Sequence, residues 1–158
     1  MGLVTNFRHA LQGMNGVLDR LIESYREQKN AFMTNDVLRI EQARLQQEQL
    51  LVELERAQAE YRRSARALAE GMRLDAGNPA DLVGVRPDLA DLARLWDRLL
   101  AGFAELKEIT LTNRLLATRA VAFYRKVTSI LQPDRQAKTY SYAGRLAEPA
   151  PPVISRVV

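Results

Sequence analysis

Apolar residues recur at intervals of three and four along three long stretches of the chain, at about residues 3–33, 37–74 and 89–131. This spacing places apolar side chains on one face of an α-helix, and no stretch shows the alternation of a β-strand. The connections between the stretches are short, which favours antiparallel neighbours. The pattern therefore predicts an all-α protein, an elongated antiparallel bundle of three long, coiled-coil-like helices.

The first stretch carries an apolar seam that only Gln28 interrupts. Gly13 and Gly16 lie inside it, and a glycine costs about 1 kcal/mol relative to alanine in a helix interior. The Asn15-Gly16 pair is also compatible with a turn, but the seam keeps its phase across the pair, which favours a helix. The seam consists of Phe7, Leu11, Met14, Leu18, Leu21, Tyr25 and Phe32.

The second stretch follows Thr34-Asn35-Asp36, where Asn or Asp is suited to cap a new helix. The sequence leaves open whether this tripeptide forms a hairpin turn or a kink in one helix. Three seam positions of the second stretch are polar, so this helix needs neighbours on its seam. The predicted seam is Val37, Ile40, Arg44, Gln47, Leu51, Leu54, Gln58, Tyr61, Ala65, Leu68 and Met72.

The third stretch has large apolar residues in the first half of its seam and four small or polar positions from Thr110 onward. At the same point a flanking apolar stripe begins, with a spacing of seven. Two interpretations stay open: a wide core stripe, or a surface that binds a client helix or a second copy. The stripe consists of Ile109, Leu116, Phe123 and Ile130. The predicted seam is Leu89, Leu92, Trp96, Leu99, Phe103, Leu106, Thr110, Asn113, Ala117, Ala120, Tyr124, Val127 and Leu131.

Glycine and proline are concentrated around residues 77–87 and 144–152, outside the three stretches. We therefore expect a helical domain at residues 1–133 and a flexible tail at 134–158. The tail contains Tyr140, Tyr142 and a proline-rich end, and exposed aromatic residues on a flexible segment are suited to recognition.

Composition argues against several functional classes. The chain has 158 residues, a net charge of +4 and no cysteine, which excludes disulfides and thiol chemistry. The basic residues alternate with acidic ones along the helices, whereas nucleic-acid binding favours a basic cluster. His9 is the single histidine, so a second histidine at metal-ligand spacing is missing. The many carboxylates suit surface ion pairs rather than acid–base catalysis. We therefore expect no enzyme, no metal and no cofactor. Without a signal peptide or a membrane-length apolar run, we expect a cytoplasmic protein that does not insert into membranes.

Three segments of the chain carry a family resemblance. They are NDVL at 35–38 leading into EQARLQQEQLLVELE at 41–55, ELKEI at 105–109 followed by NRLL at 113–116, and TYSYAG at 139–144. Taken in order, they resemble the second helix, the third helix and the short tail of the FlgN family of bacterial flagellar export chaperones. The high isoelectric point, the glycines of the first helix and the proline-rich end depart from the family pattern.

The resemblance implies a type III export chaperone. Such a protein binds the terminal helical segments of hook–filament junction (hook-associated) proteins and delivers them to the flagellar export gate. The client-binding residues would be Leu115, Leu116, Phe123, Val127 and Ile130, together with Ile109 at the start of the stripe. Tyr140 matches the tail tyrosine that would contact the gate, and Tyr142 competes for this role because it also precedes a glycine.

Two other functions remain open at this point. A structural coiled-coil scaffold would use the stripe as a homodimer interface and would have no export role. A basic helical protein that binds nucleic acid or a membrane surface would show a steep salt dependence.

Overall fold

The computed structural model describes residues 2–72 and 89–131. Within these ranges the chain forms three helices and no strand, which confirms the predicted all-α helical bundle. The helices are α1 (Leu3–Met33), α2 (Val37–Met72) and α3 (Ala90–Leu131). The predicted connection at 75–87 and the predicted tail at 134–158 lie outside the described residues.

The chain divides into two compact units, Met1–Ala117 and Thr118–Val158. The first unit contains α1, α2 and α3 as far as Ala117. The described part of the second unit is residues 118–131, the last turns of α3.

The first two helices are joined by a tight turn, which resolves the choice between a hairpin and a kink. Asn35 adopts a left-handed backbone with φ 53°. The Asp36 N–H donates to the Ala31 carbonyl at 2.9 Å and the Asn35 N–H to the Phe32 carbonyl at 3.4 Å. These two bonds form the Schellman motif that ends many helices. Asp36 then caps α2, because its Oδ1 accepts from the Arg39 N–H at 3.1 Å.

In the first unit α2 runs antiparallel to α1. Phe7 contacts Tyr61, and Arg20 pairs with Glu53 further along α1. Residues further along α1 contact residues earlier in α2, as expected for antiparallel helices.

In the same unit α3 runs parallel to α1. Arg8 pairs with Asp91, the Asn15 side-chain amide donates to the Leu95 carbonyl at 3.0 Å, and Arg26 pairs with Glu105. Residues further along α1 therefore contact residues further along α3, as expected for parallel helices. The connectivity is therefore up-down-up, with each helix antiparallel to the next one in sequence.

Aromatic rings from all three helices pack together beside the core of the first unit. The ring centroids of Phe7 and Tyr61 lie 5.5 Å apart, and those of Tyr61 and Trp96 lie 5.7 Å apart. Burial raises the pKa of the Tyr61 hydroxyl. Trp96 packs against a core that contains Phe7, Leu11, Met14, Leu18, Ile22, Leu68, Leu89, Leu92 and Leu99.

The predicted seam of α2 is wrong at three positions of its first half, Val37, Arg44 and Leu51, and correct at Gln47. The buried residues there are Ala43, Gln47 and Leu50, whereas Arg44 and Leu51 are exposed. Apolar residues of α2 occur on more than one face, so periodicity alone allows two buried seams that are offset by one residue. The structure selects the phase that places the Arg44 guanidinium outside, where it pairs with Glu41 and Glu48.

Candidate functional site

Three of the sequence-predicted binding residues lie in the first unit. Leu115 is 53% exposed, whereas Ile109 and Leu116 are half-buried. Leu111, which was not among the predicted residues, is 57% exposed.

The other three predicted residues lie on α3 in the second unit. Phe123 and Ile130 are 66% and 67% exposed, and Val127 is half-buried. A role as a core stripe would require both Phe123 and Ile130 to be buried, so their exposure excludes it for these two. Their binding role remains a prediction.

Further large apolar side chains accompany these three. Val121, Tyr124 and Leu131 are 51%, 65% and 74% exposed. The sequence pattern assigned Tyr124 and Leu131 to the core seam of α3, which the structure corrects. In helical projection the residues form one broad arc, because α-helical neighbours are separated by three or four positions. We call this arc the α3 apolar face; it comprises Val121, Phe123, Tyr124, Val127, Ile130 and Leu131.

Cations border the α3 apolar face. Arg119, Arg125 and Lys126 are exposed, and residues 118–131 contain no aspartate or glutamate. The face therefore combines an apolar centre with positively charged edges.

The polar part of the α3 seam in the first unit has a structural role. Asn113 is 4% exposed, and its amide donates to the Tyr25 carbonyl at 2.8 Å and to Gln28 Oε1 at 3.1 Å. The asparagine of the NRLL motif thus joins α3 to α1. Sequence reasoning noticed both Gln28 and Asn113 as seam interruptions but did not pair them.

A shallow groove lies between the start of α1 and the end of α2. His9 is exposed there, and Glu60 and Arg63 also border the groove. Among the described residues no group of three metal-ligating side chains occurs. Tyr140 and Tyr142, the predicted gate-docking residues, lie outside the described residues.

The helices of residues 2–72 and 89–131 include none that is long and apolar enough to cross a membrane.

Comparison with known proteins gave one family. The family model described as FlgN protein matches residues 1–148, a span that contains all three described helices and the TYSYAG segment. No curated protein and no solved structure matches the chain. Because the matched span covers most of the 158 residues, the chain belongs to the FlgN family of flagellar export chaperones.

Proposed function

We propose that this protein is a cytosolic chaperone that binds hook–filament junction proteins and delivers them to the flagellar type III export gate. Family membership supplies the chaperone class. The observation that supports client binding is the α3 apolar face, in which Phe123 and Ile130 are about two-thirds exposed.

The arrangement of this face suits a helical client. Phe123, Val127 and Ile130 follow one another at intervals of four and three, the spacing that an amphipathic partner helix contacts. Burial of a large apolar side chain contributes about 1.5–3 kcal/mol before entropic losses. Several such residues support binding in the micromolar range or tighter once the cost of association is included.

The direct test is co-purification of the full chain with the junction proteins of the same bacterium. We expect Phe123→Asp to abolish capture, because a carboxylate would have to be buried in the apolar contact. The matched control is Ala122→Asp, which adds the same charge at an exposed neighbouring position outside the apolar arc. Circular dichroism should show equal helicity for both variants. Full client capture by Phe123→Asp would mean that this face is not the binding site.

Delivery is tested separately through the tail. Tyr140→Ala should leave client capture intact and reduce secretion of the junction proteins, and Tyr142→Ala is the competing variant. Normal secretion with both variants would contradict a role for either tyrosine at the gate.

The same face supports one alternative, a homodimeric coiled-coil scaffold without an export role. Light scattering distinguishes the two functions. A scaffold would be a dimer that Phe123→Asp dissociates, and it would capture no junction protein.

A further inference from the structure

We infer that the partner of the α3 apolar face is an amphipathic helix with carboxylates beside its apolar seam. This inference rests on the proposed function and adds the charge pattern of the client segment that the face selects.

The first observation is where the cations lie. Arg119 precedes Phe123 by four residues, and Lys126 precedes Ile130 by four, so each cation is a helical neighbour of a large exposed apolar side chain. Arg119 and Lys126 are themselves seven residues apart, about 10 Å along the helix axis. They form a line along one edge of the face.

The other edge also carries a cation. Arg125 follows Val121 by four residues and is exposed, so it borders the face on the side away from Phe123. A partner seated on the apolar centre would have positive charge on both flanks.

The second observation is that these three cations make no ion pair with any described residue, whereas six arginines of the first unit do. There, each paired arginine meets a carboxylate on its own or a neighbouring helix. The paired arginines are Arg8, Arg20, Arg26, Arg39, Arg44 and Arg98. The α3 apolar face therefore offers three cations that no carboxylate of the described residues neutralises, and these cations suit carboxylates of a bound partner.

The charge pattern and the proposed function favour a helix over other anionic partners. Phe123 and Ile130 repeat at the same interval of seven as Arg119 and Lys126, which is also the repeat of two packed helices with charged flanks. A nucleic acid would not bury the apolar centre. An anionic bilayer would accept the same apolar face with cationic edges, so it is kept as an outcome of the test.

The experiment uses the full chain and two fluorescent peptides for each junction protein. One peptide is the native terminal helical segment, and in the other every Asp and Glu is replaced by Asn and Gln. We expect the neutralised peptide to bind about three- to tenfold more weakly at low salt, since exposed ion pairs are individually weak. The difference should shrink as salt screens the charges.

Variants of the chain locate the effect. The triple variant Arg119→Gln, Arg125→Gln and Lys126→Gln should bind both peptides alike, at the weaker affinity. The control is Arg62→Gln, Arg63→Gln and Arg66→Gln, which removes the same charge from exposed positions on α2 and should retain the preference for the native peptide.

The outcomes separate the two proposals. Equal binding of native and neutralised peptides would overturn the charge inference and leave the proposed function standing. Failure of the native peptides and the intact junction proteins to bind would overturn the proposed function itself. Binding to phosphatidylglycerol vesicles but not to phosphatidylcholine vesicles or native peptides would identify a membrane partner and overturn both.

Discussion

The Asn113 side-chain amide donates a hydrogen bond to Gln28 Oε1 over 3.1 Å, and each of these residues is a polar position in the predicted seam of its helix. Both side chains are buried, at 4% and 9% exposure. Buried polar groups stabilise a fold only when they are paired, so this contact favours the one alignment of α1 and α3 that brings the two residues together. A buried asparagine fixes helix register in coiled coils in the same way.

Removal of one partner should therefore be costly. We expect Asn113→Ala to lower the free energy of unfolding by about 1–3 kcal/mol, because Gln28 Oε1 would remain buried without its donor. Urea denaturation followed by circular dichroism measures this loss. Thr112→Ala, on the exposed side of the same helix, is the control and should change stability by less than about 0.5 kcal/mol. An equal loss in both variants would show that the Gln28 contact contributes nothing specific.

Glycines of α1 and α3 should respond differently to replacement by alanine. A Cβ at Gly13 or Gly16 would meet nothing within 4 Å, so each Gly→Ala change should stabilise the protein by about 0.5–1 kcal/mol through higher helix propensity. A Cβ at Gly102 would lie 2.6 Å from Leu18 Cδ2 and 3.3 Å from its Cγ. Gly102→Ala should therefore gain less than Gly13→Ala or destabilise the protein, and Gly102→Val should destabilise it clearly. Thermal unfolding ranks the variants, and an equal gain at Gly13 and Gly102 would contradict the close approach of α1 and α3.

The turn between α1 and α2 should depend on the left-handed backbone of Asn35. Asn35→Gly should be nearly neutral, since glycine adopts a positive φ without a steric penalty. Asn35→Val should cost about 1–3 kcal/mol, because a β-branched residue is strained in this conformation. Denaturant midpoints of the two variants provide the measurement. If valine were tolerated as well as glycine, the Schellman geometry would not be important for stability.

The ion pair between Arg8 and Asp91 should make stability sensitive to acid. The hydrogen bond from Arg8 lowers the pKa of the Asp91 carboxyl. A carboxyl with a lower pKa in the folded state stabilises the fold above its unfolded pKa of about 3.9, and this contribution is lost as pH falls through the folded-state pKa. Asp91→Asn should thus lower stability at pH 7, with a difference from the wild type that shrinks below about pH 4.

Urea titrations at pH 7 and pH 3 check this prediction. Asp97→Asn, at an exposed position of α3, serves as the matched charge control and should show a smaller dependence on pH. Since both partners of the Arg8–Asp91 pair are about one-third exposed, added salt should weaken the effect. A loss in Asp91→Asn that is the same at both pH values would point to a packing effect instead.

The apolar period alone determined the helical class and most helix bounds. α1 begins and ends at the predicted residues, and α3 begins one residue later than its predicted start. These features follow from local chemistry, because the spacing of apolar residues and the interruption at 34–36 act within a few turns of chain. The family resemblance likewise depended on segments read in order, and the family match confirms it.

Tertiary structure decided which apolar residues are covered. The apolar periodicity predicted Leu51 and Tyr124 as core residues, yet both are exposed. A helix with apolar residues on several faces buries only the face that a neighbouring helix contacts. The pairing of Gln28 with Asn113 also depends on α1 lying parallel to α3, a relationship between residues 85 positions apart that no local pattern contains. The sequence by itself thus determined three amphipathic helices and their family. The packing of those helices decided which polar residues meet inside and which apolar residues remain exposed.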